Sequence, residues 1–351
     1  MTLSLCMIVK NEESVLDRAL SNAGVFADEI VVVDTGSTDG TKRVASRYTD
    51  KIYDFEWKDD FAAARNFAIA KSTGDYFIWL DADDVVPMPT ARAISRLFRS
   101  LDPEVDAVML PYVLDSGLTF YRERILRRTP DNVFVGRVHE AIELHGRVVK
   151  AKPAIYHAKP QDRGHGTRNL DIYRKMEWEG VKFSPRERYY YARELYASGE
   201  YESAAKLFEA FIACPDGFYV NKIDACLLLS RCYAKAGERT RALAVLYDSF
   251  VFGLPTGEVC CEIALLYYTD GKYSLAAYWF ERASRARPDV KSGAFVDKDC
   301  YGFLPYVWLS VCYDKLGKRR KAYSYHCRAR KLKPDHPSVI VNQAYFEGLG
   351  F

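Results

Sequence analysis

No apolar run in this 351-residue sequence reaches the roughly 18 residues that a membrane-spanning helix needs, so no membrane span is expected. The amino terminus, MTLSLCMIVKNEE, has no basic stretch before its apolar residues and no small-residue cleavage site. It reads as a strand and not as a signal peptide. Charge of one sign is scarce: 50 Lys and Arg against 47 Asp and Glu leave a formal net charge of +3. That balance gives no argument for a nucleic-acid partner, although it leaves room for local basic patches. The nine cysteines contain no Cys-x-x-Cys pair, so the spacing of a zinc site is absent. Their plain reading is small apolar core residues in a reducing, cytoplasmic compartment. No Gly-x-Gly-x-x-Gly follows a strand, which disfavours a dinucleotide-dependent oxidoreductase. The stretch after the first strand reads KNEESV, without the glycine that a nucleotidyltransferase phosphate loop needs.

What is present is a globular composition, 49% hydrophobic and 28% charged, with length for two domains. Residues 1 to about 158 alternate short strands and helices. LSLCMIV (3–9) and EIVVVD (29–34) are continuous apolar runs rich in β-branched residues, as in parallel strands buried on both faces. NEESVLDRALSNA between them has helical spacing, with Val15, Ala19 and Leu20 on one face. TGSTDGTKRVASRY reads as a turn and a helix, KIYDF as a short strand and DDFAAARNFAIAKS as a helix. This order predicts an α/β domain with a mainly parallel sheet, which binds ligands beyond the carboxyl ends of its strands.

From about residue 185 the strand pattern gives way to a repeat. ARELYASGEYESAA, CYAKAGERTRALA, ALLYYTDGKYSLAA and CYDKLGKRRKAY align on Gly199, Gly237, Gly271 and Gly317, each followed five residues later by alanine. The spacings of 38, 34 and 46 residues resemble tetratricopeptide helical hairpins, with an insertion before the fourth unit. The expected division is residues 1–170 as the α/β domain, 171–184 as a helical linker and 185–351 as an all-α repeat domain with a surface for a peptide, a protein or a second copy.

The stretch DYFIWLDADD poses the chemical question. An unbroken apolar strand ends in three carboxylates, Asp81, Asp83 and Asp84, within four positions. Such crowding is tolerated at a solvated turn, around a cation, or with shared protons. An Asp-x-Asp at a strand end suits a hard divalent cation that keeps open positions for phosphate oxygens, and Asp34 closes an earlier strand.

Taken in order, SLCMIVKNEE, EIVVVDTGSTDGT and DDFAAARNFAIAKSTGDYFIWLDADD resemble the family 2 glycosyltransferases of the GT-A fold. Joined to helical repeats, the pattern is similar to repeat-bearing bacterial members. These include sublancin-type peptide S-glycosyltransferases, related protein glycosyltransferases and lipopolysaccharide-core glucosyltransferases. The resemblance implies a UDP-sugar donor, Mn²⁺ or Mg²⁺, and inversion at the anomeric carbon. It places Val9, Asn11 and Glu12 in the nucleoside pocket and Asp34 on the base. Many relatives have a second acid there, and this chain has Thr35. It puts Arg65 on the base or phosphate, where the plainer reading is a surface ion pair with Asp59 or Asp60. Asp81 is assigned to the ribose and metal side, Asp83 to the metal, and Asp84 behind them.

The family's Glu-Asp signature for the base is not evident. In GRVHEAI, Glu140 is the candidate base and His139 a candidate for metal or diphosphate, although neighbours on one strand would point to opposite faces. Asp115, Glu123 and Asp84 are the alternatives. His157 is the expected third metal ligand, against a purely structural histidine. Lys159, Arg163, His165 and Arg168 have the composition of a lid over a diphosphate, against a solvated linker. Lys42 belongs to a solvated helix face. The resulting expectation is a metal-dependent, inverting transferase acting on a peptide or protein presented by the repeats, with a homodimer through those repeats. A saccharide acceptor, such as a lipopolysaccharide core or other surface polysaccharide, is the second reading. A repeat scaffold with an inactive transferase domain is the third.

Overall fold

The computed structural model describes residues 1–114, 119–158, 166–289 and 293–351. The chain divides into two compact units, Met1–Lys182 and Phe183–Phe351.

In the first unit, β1 (Leu3–Val9), α1 (Leu16–Leu20), β2 (Glu29–Asp34), α2 (Thr41–Ala45), β3 (Ile52–Asp54), α3 (Phe61–Lys71) and β4 (Tyr76–Leu80) alternate. There follow β5 (Asp84–Val85), α4 (Met88–Arg99), β6 (Ala107–Val113), β7 (Thr119–Arg127), β8 (Phe134–Val135) and β9 (Ala141–Ile142). The unit closes with β10 (Val148–Lys150), β11 (Ile155–His157) and α5 (Arg168–Trp178). The main sheet has the order β3-β2-β1-β4-β7-β6-β11-β5, with β10 beside β6. β3, β2, β1 and β4 are parallel, as their apolar runs predict. Beyond β4 the sheet is mixed: β7 runs antiparallel to β4 and β6, β11 is parallel to β6, and β5 antiparallel to β11.

Both faces of the parallel strands are covered. Leu3, Leu5, Met7, Val32, Ile78 and Leu80 pack with Leu16 of α1 and Ile94 and Phe98 of α4. Cys6, Val31, Val33, Phe77 and Trp79, one step out of phase, pack with Ala62, Ala68 and Ile69 of α3. Period-two alternation onto two apolar layers is why these strands show no polar break. Residues 168–178, part of which was expected as a linker, form α5 within this unit, with Leu170, Ile172, Tyr173 and Met176 buried.

The second unit is helical: α6 (Pro185–Ala197), α7 (Tyr201–Ile212), α8 (Tyr219–Lys235), α9 (Arg239–Asp248), α10 (Gly257–Thr269), α11 (Tyr273–Arg285), α12 (Phe303–Lys315), α13 (Arg319–Leu332) and α14 (Pro337–Gly348). Gly199, Gly237, Gly271 and Gly317 end the first helix of each hairpin with φ between +69° and +85°. The next residue closes the turn; Glu238 N, for instance, donates to Tyr233 O at 2.8 Å. That left-handed C-terminal closure is what selects glycine. Ala204, Ala242, Ala276 and Ala322, five residues on, are completely buried where the paired helices cross. The nine cysteines are free, and seven of them are buried.

A second periodic feature joins one hairpin to the next. Glu281 of α11 accepts from Tyr313 (2.7 Å), Tyr325 (3.1 Å) and Lys321 (3.2 Å) of the following hairpin. Glu209 of α7 is used likewise by Tyr233 and Arg241. At the corresponding place in α9 stands Tyr247, whose hydroxyl meets that of Tyr267 at 3.0 Å. No helix among the described residues is long and apolar enough to cross a membrane.

Candidate active site

β1 and β2 end side by side, with Val9 in register with Asp34. The two loops that leave them interlock. Asn11, at φ +55°, accepts from Thr38 N (2.8 Å), and its own N–H donates to Ser37 Oγ (2.9 Å). Glu12 N donates to Thr41 Oγ1 at 2.7 Å. Asp34 is 1% exposed, and its Oδ1 accepts from Gly36 N and Ser37 N at 2.8 Å each. Gly36 permits this tight turn by its φ of +101°. The other oxygen of Asp34, Oδ2, is buried without a hydrogen-bond partner among the described residues. A buried, unpaired carboxylate oxygen is costly unless a donor arrives.

β4 delivers the three carboxylates to the same edge, and each meets a different basic side chain. Arg65 of α3 is buried, not on the helix surface. Asp60 instead caps α3 by accepting from Ala63 N, and Asp59 pairs with Lys175 of α5 at 2.6 Å. Arg65 therefore reaches inward. Its Nη2 donates to Asp81 Oδ1 and its Nε to Glu140 Oε1, both at 2.6 Å. Burial alone would raise the Asp81 carboxyl, but Arg65 and Arg124 outweigh it and hold it at about 2. Asp84 is completely buried, and its Oδ2 pairs with Arg124 Nη1 at 3.0 Å and caps Asp81 N at 3.0 Å. Arg124 of β7 is itself fully buried, its guanidinium 4.0 Å from the Trp79 ring and 4.4 Å from that of Tyr112.

Among the described residues, Asp83 has the weakest compensation, His157 Nδ1 at 3.5 Å. Burial, with Asp81 and Asp84 nearby, raises its pKa in spite of the histidine. His157 comes to this place because β11 pairs antiparallel with β5, with His157 opposite Asp84 in the register. The backbone closes the corner: Ala158 N donates to Asp83 O at 3.0 Å and Arg18 Nη2 to Ala158 O at 2.6 Å. Asp84, 3.8 Å from Nδ1, and Asp83 raise the imidazole pKa against the effect of burial. The Tyr112 hydroxyl lies between them, 2.8 Å from Asp84 Oδ1 and 2.9 Å from His157 Nδ1.

Asp83, Asp84 and His157 each offer a ligand atom within 4.8 Å of the others. Two carboxylates and an imidazole suit a hard or borderline divalent ion such as Mg²⁺ or Mn²⁺. Asp81 lies beside this group with Oδ1 committed to Arg65.

His139 and Glu140 are not on a regular strand. They lie in the bend between β8 and β9, where His139 has φ +52°, so strand alternation does not separate their side chains. Glu140 turns to Arg65, while the His139 ring stacks on Tyr173 of α5 at 6.3 Å between centroids. Glu123 is held by Arg122 at 3.6 Å, and Lys42 pairs with Asp54 on the surface. Arg168 lies over the Phe61 ring at 4.7 Å. Asp115, Lys159, Arg163 and His165 fall outside the described residues. Sequence reading missed Tyr112 and Arg124. The available signal was slight: an arginine in a strand next to apolar Ile125 and Leu126.

Residues 4–153 match the family model described as Glycosyl transferase family 2. A TPR repeat-containing protein of Synechococcus elongatus is 38% identical over 148 residues, 40% of this chain and 35% of that protein. The SPbeta prophage-derived glycosyltransferase SunS of Bacillus subtilis is 30% identical over 144 residues, 40% of this chain and 34% of its own length. The lipopolysaccharide core biosynthesis glycosyltransferase LpsC of Rhizobium meliloti is 28% identical over 173 residues, 45% of this chain and 63% of its own. The chain thus spans about a third of the length of the first two relatives.

Proposed function

From the match of residues 4–153 to the family model of glycosyl transferase family 2, we propose that this protein is a metal-dependent, inverting glycosyltransferase. It moves a sugar from a UDP-sugar to a peptide or protein acceptor presented by the helical repeats. The observation that carries this reading is the presence, at one sheet edge, of an Asp83–Asp84–His157 cluster and an Asp34 oxygen that is buried and has no hydrogen-bond partner among the described residues.

Asp34 Oδ2 accepts the ring N–H of the uracil, with Gly36 N and Ser37 N fixing the carboxylate through its other oxygen. Val9, Asn11 and Glu12 line the nucleoside pocket, and Asp81 faces the ribose. Asp83, Asp84 and His157 would hold Mn²⁺ or Mg²⁺. When bound, the ion neutralises charge that builds on the departing diphosphate. His139 stands ready for the diphosphate. Glu140, anchored to Arg65 through Oε1, takes the proton from the acceptor atom with its other oxygen. The acceptor forms its bond to the anomeric carbon as the bond from that carbon to the diphosphate oxygen breaks.

The repeats and the similarity to SunS favour a peptide or protein acceptor. The similarity to LpsC favours a saccharide, and the same donor chemistry serves both. Acceptor-free hydrolysis of a panel of nucleotide-sugars, with Mn²⁺, Mg²⁺ or chelator, tests the reading. Release of UDP from one donor that stops on chelation is the expected result. Absence of both hydrolysis and binding for every donor would turn the assignment to a scaffold with an inactive transferase domain.

A further inference from the structure

Charge is close to balanced over the whole chain, at +3, yet residues 315–333, KLGKRRKAYSYHCRARKLK, contain nine Lys or Arg and no Asp or Glu. This segment is the end of α12, the turn at Gly317, α13 and its last connection. All nine basic residues are exposed. Two are neutralised: Lys321 by Glu281 at 3.2 Å and Lys333 by Asp299 at 2.6 Å. Among the described residues the other seven form no ion pair with a carboxylate, and Arg330 donates to the uncharged Gln343 at 2.7 Å.

The cause is geometric. Ala322, His326 and Ala329 turn the inner side of α13 into the repeat core, where they are buried. Arg320, Arg328 and Lys331 lie at helical spacing on the opposite side. Like charges so arranged repel one another, and among the described residues none of these three is held in an ion pair by a neighbouring helix.

The next helix adds apolar surface. Val339 and Phe346 hold α14 to the repeat. Its Ile340, Val341 and Tyr345 are 58%, 67% and 45% exposed, and Leu332 at the end of α13 is 54% exposed. Single exposed apolar side chains are ordinary, but several on adjacent helices mark an interaction surface.

We propose that α13 and α14 form a docking surface for an anionic lipid bilayer. The cations are drawn to the negative headgroup layer, and the neighbouring aliphatic side chains enter the boundary with the acyl chains. A nucleic acid would satisfy the cations but give Ile340, Val341 and Leu332 nothing to do, so of these two the bilayer uses both features. The proposed contact is peripheral, made by exposed side chains of α13 and α14.

Co-sedimentation of the full chain with vesicles tests this. One set is pure phosphatidylcholine and the other contains about a third phosphatidylglycerol, each at about 0.1 M and 0.5 M salt. Anionic vesicles at low salt bind the protein on the order of tenfold better than neutral vesicles or high salt. The triple reversal Arg320→Glu, Arg328→Glu, Lys331→Glu loses on the order of a hundredfold. The pair Ile340→Ser, Val341→Ser loses on the order of tenfold on anionic vesicles. All five positions are exposed, and circular dichroism checks that each variant keeps its helices. Equal binding to both vesicle types, no binding, or indifference to the triple reversal would overturn the proposal. So would tighter binding to a single-stranded RNA that the Ile340/Val341 variant leaves unchanged, which would assign the patch to nucleic acid.

Discussion

The two units build clusters from the same materials, carboxylates with arginine, lysine and tyrosine, and use them in opposite ways. In the repeats, Glu281 takes two tyrosine hydroxyls and Lys321, and these contacts outweigh burial and lower its pKa. At the sheet edge, Asp81 has Arg65 and Asp84 has Arg124, but among the described residues Asp83 has only His157, and its pKa is raised. The first arrangement is complete. Among the described residues, the second keeps one carboxylate short of positive charge, together with an oxygen of Asp34 that has no hydrogen-bond partner. A cluster that is saturated stabilises the fold; one left short in a buried place is a site for a cation or a donor from outside.

The sharpest way to test this contrast is to remove the uncompensated acid. Asp83→Ala is expected to reduce metal-dependent UDP release on the order of a hundredfold or more, while urea denaturation shows a fold as stable as the parent or slightly more so. Full turnover in this variant would sink the assignment. Arg124→Met acts the other way. It leaves Asp84 buried beside two other acids, and a loss of about 3–5 kcal/mol in the stability of the first unit is expected from hydrogen exchange. An unchanged stability would mean that Arg124 does not serve the cluster.

In the repeats, Glu281→Gln should cost about 1 kcal/mol in the second unit, read from its denaturation midpoint, with UDP release from the donor untouched. Acid separates the two clusters by sign. Glu281 has a lowered pKa, so its contribution is complete above the ordinary glutamate value and is lost as pH falls through the folded value. Asp83 has a raised pKa, so its ionisation opposes folding as pH rises past the ordinary aspartate value. From about pH 6 to pH 3, the advantage of the parent over Glu281→Gln should shrink. Over the same range the deficit of the metal-free parent against Asp83→Asn should shrink too. The smallest effect is expected at the middle interface. Tyr247→Phe removes one hydroxyl pair at the edge of water and should cost roughly 0.5 kcal/mol in the second unit.

How much was readable in advance follows the reach of each interaction. The strands at 3–9 and 29–34 and the hairpin turns at Gly199, Gly237, Gly271 and Gly317 lie where their patterns predict, because apolar alternation and a positive φ are properties of a few consecutive residues. The mixed half of the sheet was not readable, since nothing in β7 itself says that it will insert between β4 and β6. The bend at His139 broke a strand expectation because its backbone turns left-handed just before β9.

The sequence by itself determined that a buried strand ends in three carboxylates, that Asp34 closes another, and that helical hairpins repeat after residue 185. Only the tertiary structure decided which charge meets which acid. Arg65 comes from a helix, Arg124 from an antiparallel strand, and His157 from the register of β11 against β5. Local patterns follow from neighbouring residues, but the partner of a buried charge is chosen by strand order and register, which no short stretch of chain contains.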